Sequence, residues 1–381
     1  MFTLSDARWA VQNKPEFGVY DREFGVVIDY NISLEGTFVG QSDFDTMILK
    51  NLRGTVFNKE TGAIISLAFD KFHNLNECDG WYDHQVDFSK PHTVLEKLDG
   101  SMIRAIPMPD GSYRLGTRAG VTDVAVKAEN FLKTLPAQMQ QNYDDFIKFC
   151  LEDQHGAICT PIFEYCSRDQ RIVLDYAEPQ LILTAVRNTV TGKYYPYEKL
   201  VALARAYELP VVRPMFNDQS SLAELSGAIR GLIGKEGVVV AFVDGFRVKI
   251  KADDYCLKHK ALDGLRFEKD VLQLVLKGEL DDVLPLVADD IRERLVRYRD
   301  SVFHRLEVAR QEMVAMFERH KHLATKKEFA EMVMQSPYKT GLFKMWDGKE
   351  YSLAEFVLTK CGSQTAVDDV RWLIGKSYYD I

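Results

Sequence analysis

Between Val238 and Lys251 the chain passes from an apolar run, Val238 to Val243, through Asp244-Gly245 into Phe246-Arg247-Val248-Lys249-Ile250-Lys251. In that last stretch charged and apolar residues alternate strictly. A period of two is what a pleated strand imposes, and Asp-Gly suits a type I′ turn, so an antiparallel hairpin is expected. A two-residue turn pairs Val240 with Lys249 and Val238 with Lys251, and Glu236 then projects from the face that carries both lysines. Two readings of that face stay open. It is an exposed edge strand defended by lysines, or it is a row of cations beside a carboxylate, as a site handling a phosphate and a metal ion requires.

The same short-strand pattern runs through the chain up to about residue 262. Arg53 to Phe57 and Ala63 to Phe69 flank Lys59-Glu60-Thr61-Gly62, and Ser101 to Ile106 and Ser112 to Thr117 flank Pro109-Asp110-Gly111. Pro161 to Cys166 and Arg171 to Tyr176 flank Ser167-Arg168-Asp169-Gln170. Each reads as a hairpin. Helical periodicity is confined to roughly 126–152 and 219–232. From about residue 263 the period changes. Ile291, Leu295, Tyr298, Val302, Leu306, Ala309, Met313 and Met316 recur at three and four, a long amphipathic helix after Asp289-Asp290. Thr325 and Glu328 form a capping box for another. The expected fold is α+β: an antiparallel-sheet domain over residues 1–262, then an all-helical domain over 263–381.

Composition narrows the function classes. A net charge of −8 argues against a protein that coats nucleic acid non-specifically, but a site acting on nucleic acid needs cations only locally. The six cysteines contain no CxxC pair and the eight histidines do not join them at zinc spacing. Reduced thiols and a cytoplasmic protein without structural zinc are expected. No apolar run reaches membrane-spanning length, and the N-terminal stretch lacks a signal-peptide pattern.

Three further places could carry chemistry. Lys97-Leu98-Asp99-Gly100 is either a surface lysine before a turn or a lysine nucleophile, with Gly100 leaving room for a ligand against the backbone. Glu164 lies inside the apolar strand Ile162-Phe163-Glu164-Tyr165, so it faces solvent or pairs with a cation or metal. Arg53-Gly54 and Lys71-Phe72 are unremarkable one at a time.

Their order is informative. KxDG, a Phe-Glu strand, Glu-Gly with an apolar run, then Lys-x-Lys resembles the signature of covalent nucleotidyltransferases: ATP-dependent DNA and RNA ligases and GTP-dependent capping enzymes. Longer stretches, LRGTVF, KFHNLNE, EKLDGS, QRIVLDY, EGVVVAF and FRVKIKADDY, are similar to the RNA ligase 1 family of T-even-type phages. The resemblance covers most of residues 20–260, and GELDDVL at 278–284 extends it weakly.

That resemblance implies a nucleotidyltransferase domain in which Lys97 becomes covalently attached to AMP. Arg53, Lys71, Lys249 and Lys251 would contact the phosphates of ATP, and Tyr30 would contact the nucleotide. Glu164 and Glu236 match the motif carboxylates with ribose or metal roles, Tyr255 matches an activity-linked position, and Asp281 with Asp282 match a metal-binding pair. His73 stands where the family usually has an aromatic. The implied activity is ATP-dependent RNA ligation with Mg2+, or Mn2+ in its place, through lysyl-AMP and adenylylated RNA. The implied substrate is RNA with 5′-phosphate and 3′-hydroxyl ends, such as nicked tRNA, repaired in the host cytoplasm by a monomer with no membrane contact. Lys249, Lys251 and the metal would disfavour the ammonium form of Lys97. Arg292, Arg294, Arg297, Arg299 and Arg305 on the long helix read as a solvated face, with RNA-backbone contact as the alternative. The rival readings are a DNA ligase, a capping guanylyltransferase, or a non-catalytic RNA-end-binding protein.

Overall fold

Strands occupy the first two-thirds of the chain and helices the rest, in a computed structural model that describes residues 1–152, 157–216 and 219–381. The strands are β1 (Phe17–Arg22), β2 (Gly25–Tyr30), β3 (Arg53–Phe57), β4 (Ile64–Ser66), β5 (His73–Asn74) and β6 (His92–Lys97). They continue with β7 (Ser101–Pro107), β8 (Tyr113–Gly116), β9 (Cys159–Cys166), β10 (Gln180–Asn188), β11 (Gly237–Phe242) and β12 (Arg247–Lys251). Among the described residues they form three four-stranded sheets, ordered β1-β2-β3-β4, β10-β9-β7-β8 and β5-β12-β11-β6. All pairings are antiparallel except β5 with β12. Two compact units result, Met1–Cys256 and Leu257–Ile381.

Three of the four expected hairpins form: β3–β4, β7–β8 and β11–β12. The fourth does not. β9 pairs with β7 and with β10, and residues 171–176 carry no strand. The amides of Val173 and Leu174 instead donate to Asp99 Oδ2 at 2.8 and 2.7 Å, so they are committed to a carboxylate and unavailable to a ladder.

The β11–β12 register is also one residue off the expected one. Val239 faces Lys249 and Gly237 faces Lys251. The cause is a three-residue connection, Val243-Asp244-Gly245, closed by Phe242 N–H to Phe246 O at 2.9 Å, with Gly245 at φ +99°. A one-residue shift flips the face of every side chain, so simple alternation would now turn Glu236 away from the lysines. Gly237 restores it. Its φ of +144° turns the chain at the strand's entry, and a Cβ there would lie 2.1 Å from Ile250 O.

Helical periodicity at 126–152 resolves into two helices, Asp123–Thr134 and Ala137–Leu151, broken where Leu135 precedes Pro136. With helix Tyr197–Ala206 they cover the β10-β9-β7-β8 sheet, burying Phe146, Ile147, Phe163 and Leu200. Helix Leu222–Arg230 packs Leu225 and Ile229 on Val238, Val240, Val248 and Ile250. The apolar faces of β11 and β12 are thus sealed, leaving the face with Lys249 and Lys251 for other work.

In the second unit the helix Asp289–His320 buries Leu295, Tyr298, Val302, Leu306, Ala309 and Met313, and Thr325 caps Lys326–Val333 as expected. No helix among the described residues is long and apolar enough to cross a membrane. Glu268, fully buried, holds this unit's end in place. It accepts from Arg371 at 2.6 and 2.7 Å, from Tyr298 Oη at 2.9 Å and from Tyr378 N at 3.1 Å. Arg371→Ala strands that carboxylate and should lower the unfolding free energy by about 3 kcal/mol in a urea titration. Arg371→Lys should recover only part of it, because an ammonium cannot form the paired bonds.

Candidate active site

The cation cluster is built by three strands meeting at one glycine. Gly237 on β11 lies opposite Lys97 on β6 and opposite Lys251 on β12. Opposed residues share a face, so two lysines flank a position with no side chain. Glu236 fills the gap. Its Oε2 lies 2.8 Å from Lys97 Nζ and its Oε1 3.1 Å from Lys251 Nζ, and the carboxylate is 4% exposed. Lys97 is therefore at a strand end because β6 must deliver it to this junction. The edge-strand reading fails, since β12 sits between β11 and β5.

Lys249 lies one pair further along the same face. Burial pushes its ammonium down to about 8, against the pull of Glu77 and with help from Lys97, Lys71 and Arg53. Arg53 Nη1 donates to Asp70 O at 3.0 Å, while its buried Nε has no partner. Arg53, Lys97, Lys249, Lys251 and Glu164 line one cavity of about 340 Å³ whose apolar walls include Phe72, Leu95, Val212 and Val239. Cations at one side and apolar walls elsewhere fit a nucleotide, and the unpartnered Arg53 Nε is a donor awaiting an anion. A wider groove of about 940 Å³ runs past Tyr113, where Arg114 pairs with Glu129, Lys148 with Asp144, and Lys133 bonds Asn130. Arg247 shares the lysine face yet is buried, with its guanidinium 3.4 Å from the Tyr194 ring centre.

Glu164 enters from the neighbouring sheet, where β9 places it opposite Met102 and Ile182. Burial drives its carboxyl up to about 8; Lys97 opposes this and the charges of Glu236 and Asp99 add to it. Lys71 and Tyr30 stand outside the cavity wall, with Lys71 Nζ 5.6 Å from the Tyr30 ring centre. Tyr255, buried, donates to Asp99 Oδ1 at 2.7 Å. Asp281 and Asp282 are exposed in the helical unit, and Asp281 Oδ1 lies 3.8 Å from Arg299.

No group of three or more His, Cys, Asp or Glu side chains among the described residues forms a ready metal site. Mg2+ does not need one. It keeps several waters and takes one or two carboxylates plus substrate phosphates, an arrangement Glu164 and Glu236 can serve. Gly100 lines the cavity as well. A Cβ there would lie 2.4 Å from Tyr165 O and 2.8 Å from Cys166 Sγ, so its backbone also packs closely on β9.

Two groups escaped the sequence reading. Glu77 accepts from Asn74 N at 2.7 Å and meets His73 Nδ1 at 2.9 Å. Against burial, these contacts and Lys249 hold its carboxyl at about 2. Arg118 lies 4.2 Å from the Tyr30 ring centre and 3.3 Å from Asp29 Oδ1. Burial nevertheless pushes Asp29 up to about 6. Glu77 stood inside the quoted KFHNLNE stretch; Arg118, a lone arginine in a turn, gave no periodic or motif signal.

A carboxyl that ionises less readily when folded favours folding most at low pH. The contribution of Glu164 is full below its ordinary 4.5 and is lost as pH rises through about 8. Glu164→Gln fixes the uncharged form. The ligand-free variant should melt like the parent near pH 4.5 and on the order of 5 °C higher at pH 8, read by calorimetry across that range. A gap that does not grow with pH would place Glu164 in solvent.

Residues 51–255 match the model of an RNA ligase family. A protein of Autographa californica nuclear polyhedrosis virus, named as a bifunctional polynucleotide kinase/RNA ligase, is 31% identical over 263 residues, 65% of this chain and 36% of that one. An RNA ligase named in Thermovibrio ammonificans is 26% identical over 335 residues, covering 86% of this chain and 83% of its own. RNA ligase 1 of bacteriophage TS2126 is 25% identical over 259 residues, 66% of this chain and 62% of its own. The chain thus spans about a third of the viral relative's length. The family match takes in more than half the chain and contains Lys97, Glu164, Glu236, Lys249 and Lys251 within its bounds: the protein belongs to the RNA ligase 1 family.

Proposed function

We propose that the protein is an ATP-dependent RNA ligase working through a lysyl-AMP intermediate on Lys97. The observation that carries this is the junction at Gly237, where Lys97 opens into a cation-lined cavity with Glu236 against its amine. The unprotonated Lys97 amine attacks the α-phosphorus of ATP; a P–N bond forms and the P–O bond to pyrophosphate breaks. An RNA 5′-phosphate oxygen then displaces Lys97 from AMP. Finally an RNA 3′-hydroxyl attacks the activated 5′-phosphorus and AMP leaves.

Each residue has a part in this reading. Arg53, Lys249 and Lys251 neutralise charge as pyrophosphate departs, with Lys71 adding its field from outside the wall. Glu164 and Glu236 would hold Mg2+ or Mn2+, which supplies further charge neutralisation at the phosphates. Tyr255 steadies Asp99 beside the nucleophile, and Tyr30, with Arg118 against its ring, is proposed as a nucleotide contact. Asp281 and Asp282 are proposed as an additional cation site in the helical unit. The substrates proposed are RNA ends bearing 5′-phosphate and 3′-hydroxyl groups, including tRNA broken in the anticodon loop, and the biological role proposed is RNA repair.

Incubation with α-labelled ATP and Mg2+, then denaturing electrophoresis, should give an acid-labile labelled protein, and labelled GTP should give none. Lys97→Arg keeps a charge but should abolish the adduct; a surviving label would refute the assignment. Lys249→Ala should slow adduct formation on the order of 100-fold with the fold intact. Circularisation of 5′-phosphorylated RNA, compared with nicked tRNA and with DNA, reads the substrate.

A further inference from the structure

A lysine nucleophile at a strand end needs its turn held still, since a shift of about 1 Å in a reacting group can cost 10²-fold in rate. Leu98-Asp99-Gly100 joins β6 to β7, and what fixes it comes from outside both strands. Asp99 is 2% exposed. Its Oδ2 accepts the amides of Val173 and Leu174, its Oδ1 accepts Tyr255 Oη, and its own N–H donates to Tyr176 Oη at 3.2 Å. Three of these four bonds come from one segment, residues 167–176, which has no sheet partner.

That segment is itself braced. Arg168 grips Asp175 through two bonds of 2.8 and 2.7 Å, and Lys127 reaches Asp169 at 3.3 Å. At its end Tyr176 does two jobs. Its hydroxyl meets the backbone of the nucleophile turn, and its ring packs on the cluster of Leu95, Leu98, Cys166, Ile182 and Val212. Leu95, Leu98 and Val212 are also cavity walls, so one side chain touches both the turn and the back of the nucleotide cavity.

We infer that residues 167–176 are a strap that positions Lys97, with the Tyr176 hydroxyl as its side-chain contact on the nucleophile turn beside the amides of Val173 and Leu174. Tyr176 is a positioning residue, touching no reacting atom. The inference rests on the lysyl-AMP reading and concerns only the first chemical step. Sealing of RNA that already carries a 5′-adenylyl group requires no attack by Lys97, so strap damage should spare it.

The test compares the two reactions in Tyr176→Phe, which keeps the ring and deletes the hydroxyl. Adduct formation at saturating ATP should fall about 10-fold or more, with the KM for ATP unchanged within about twofold and the melting temperature near that of the parent. Ligation of pre-adenylylated RNA should stay within about twofold. Asp175→Asn, which loosens the brace from outside, should give the same split with a smaller loss. Equal losses in both reactions, or an unchanged adduct rate in Tyr176→Phe, would overturn the strap's role. Absence of any adduct in the parent protein would instead overturn the lysyl-AMP reading.

Discussion

One carboxylate between two ammonium groups organises the N-terminal unit. Glu236 bonds Lys97 and Lys251 across a position that can only be glycine, because Gly237 combines φ +144° with an approach that leaves no space for a Cβ. Three strands have to meet in register for this contact to exist. A buried carboxylate with one partner removed would be costly, so the contact ties the placement of β6, β11 and β12 to a single electrostatic condition. The apolar faces of the same strands are sealed by helix Leu222–Arg230, which gives the sheet the burial to hold that charged face together.

Around that contact the polar groups differ in how well they are partnered. Glu236 is paired with two lysines, whereas Lys249 is desolvated enough to fall to about 8 and Arg53 keeps a buried Nε without a partner. On the facing sheet Glu164 is desolvated the other way, up to about 8. Cations short of partners on one wall and a desolvated carboxyl on another suit a polyanion with its divalent counter-ion. Lys97 has a carboxylate as well as cations beside it, with Glu236 Oε2 standing 2.8 Å from its Nζ. At Lys249 burial, and after it the charges of Lys97, Lys71 and Arg53, depress the ammonium.

What the sequence made legible was what period and order encode. Alternation through Phe246 to Lys251 located β12, and the change of period located the helical region. Residue order, through the family it resembles, points to Lys97, Glu164, Glu236, Lys249 and Lys251 as one site. Loop closure was not legible: Asp244-Gly245 fits a two-residue turn, but the connection takes Val243 as well, and the register moved by one. Glu236 reached the predicted lysines by a different route, through the backbone twist of Gly237. The hairpin expected at 171–176 failed because a carboxylate 74 residues away in sequence took its amides. Periodicity carries no record of such long-range side-chain bonds. Asp99 and its strap, like Glu77 and Arg118, become visible only when the chain is folded.

The helical unit shows why arginine counts mislead. Five arginines on the helix Asp289–His320 resemble a stripe for a phosphate backbone, yet four of them hold carboxylates or carbonyls of their own unit, and Arg294 keeps a buried Nε without a partner. Arg292 bonds Asp289, Leu284 O and Val287 O, Arg297 pairs with Glu293, and Arg299 with Asp300. Arg294 lies 4.7 Å from the Tyr378 ring centre and Arg305 donates to Trp372 O at 3.1 Å. Phosphate affinity comes from cations that exchange counter-ions for phosphates, and a guanidinium already bonded to a carboxylate or carbonyl must first give up that bond. Arg292 and Arg305 serve the packing of the helix against its own unit. An RNA grip here would have to come from residues without such partners, and the arginine-rich pattern alone is no argument for one.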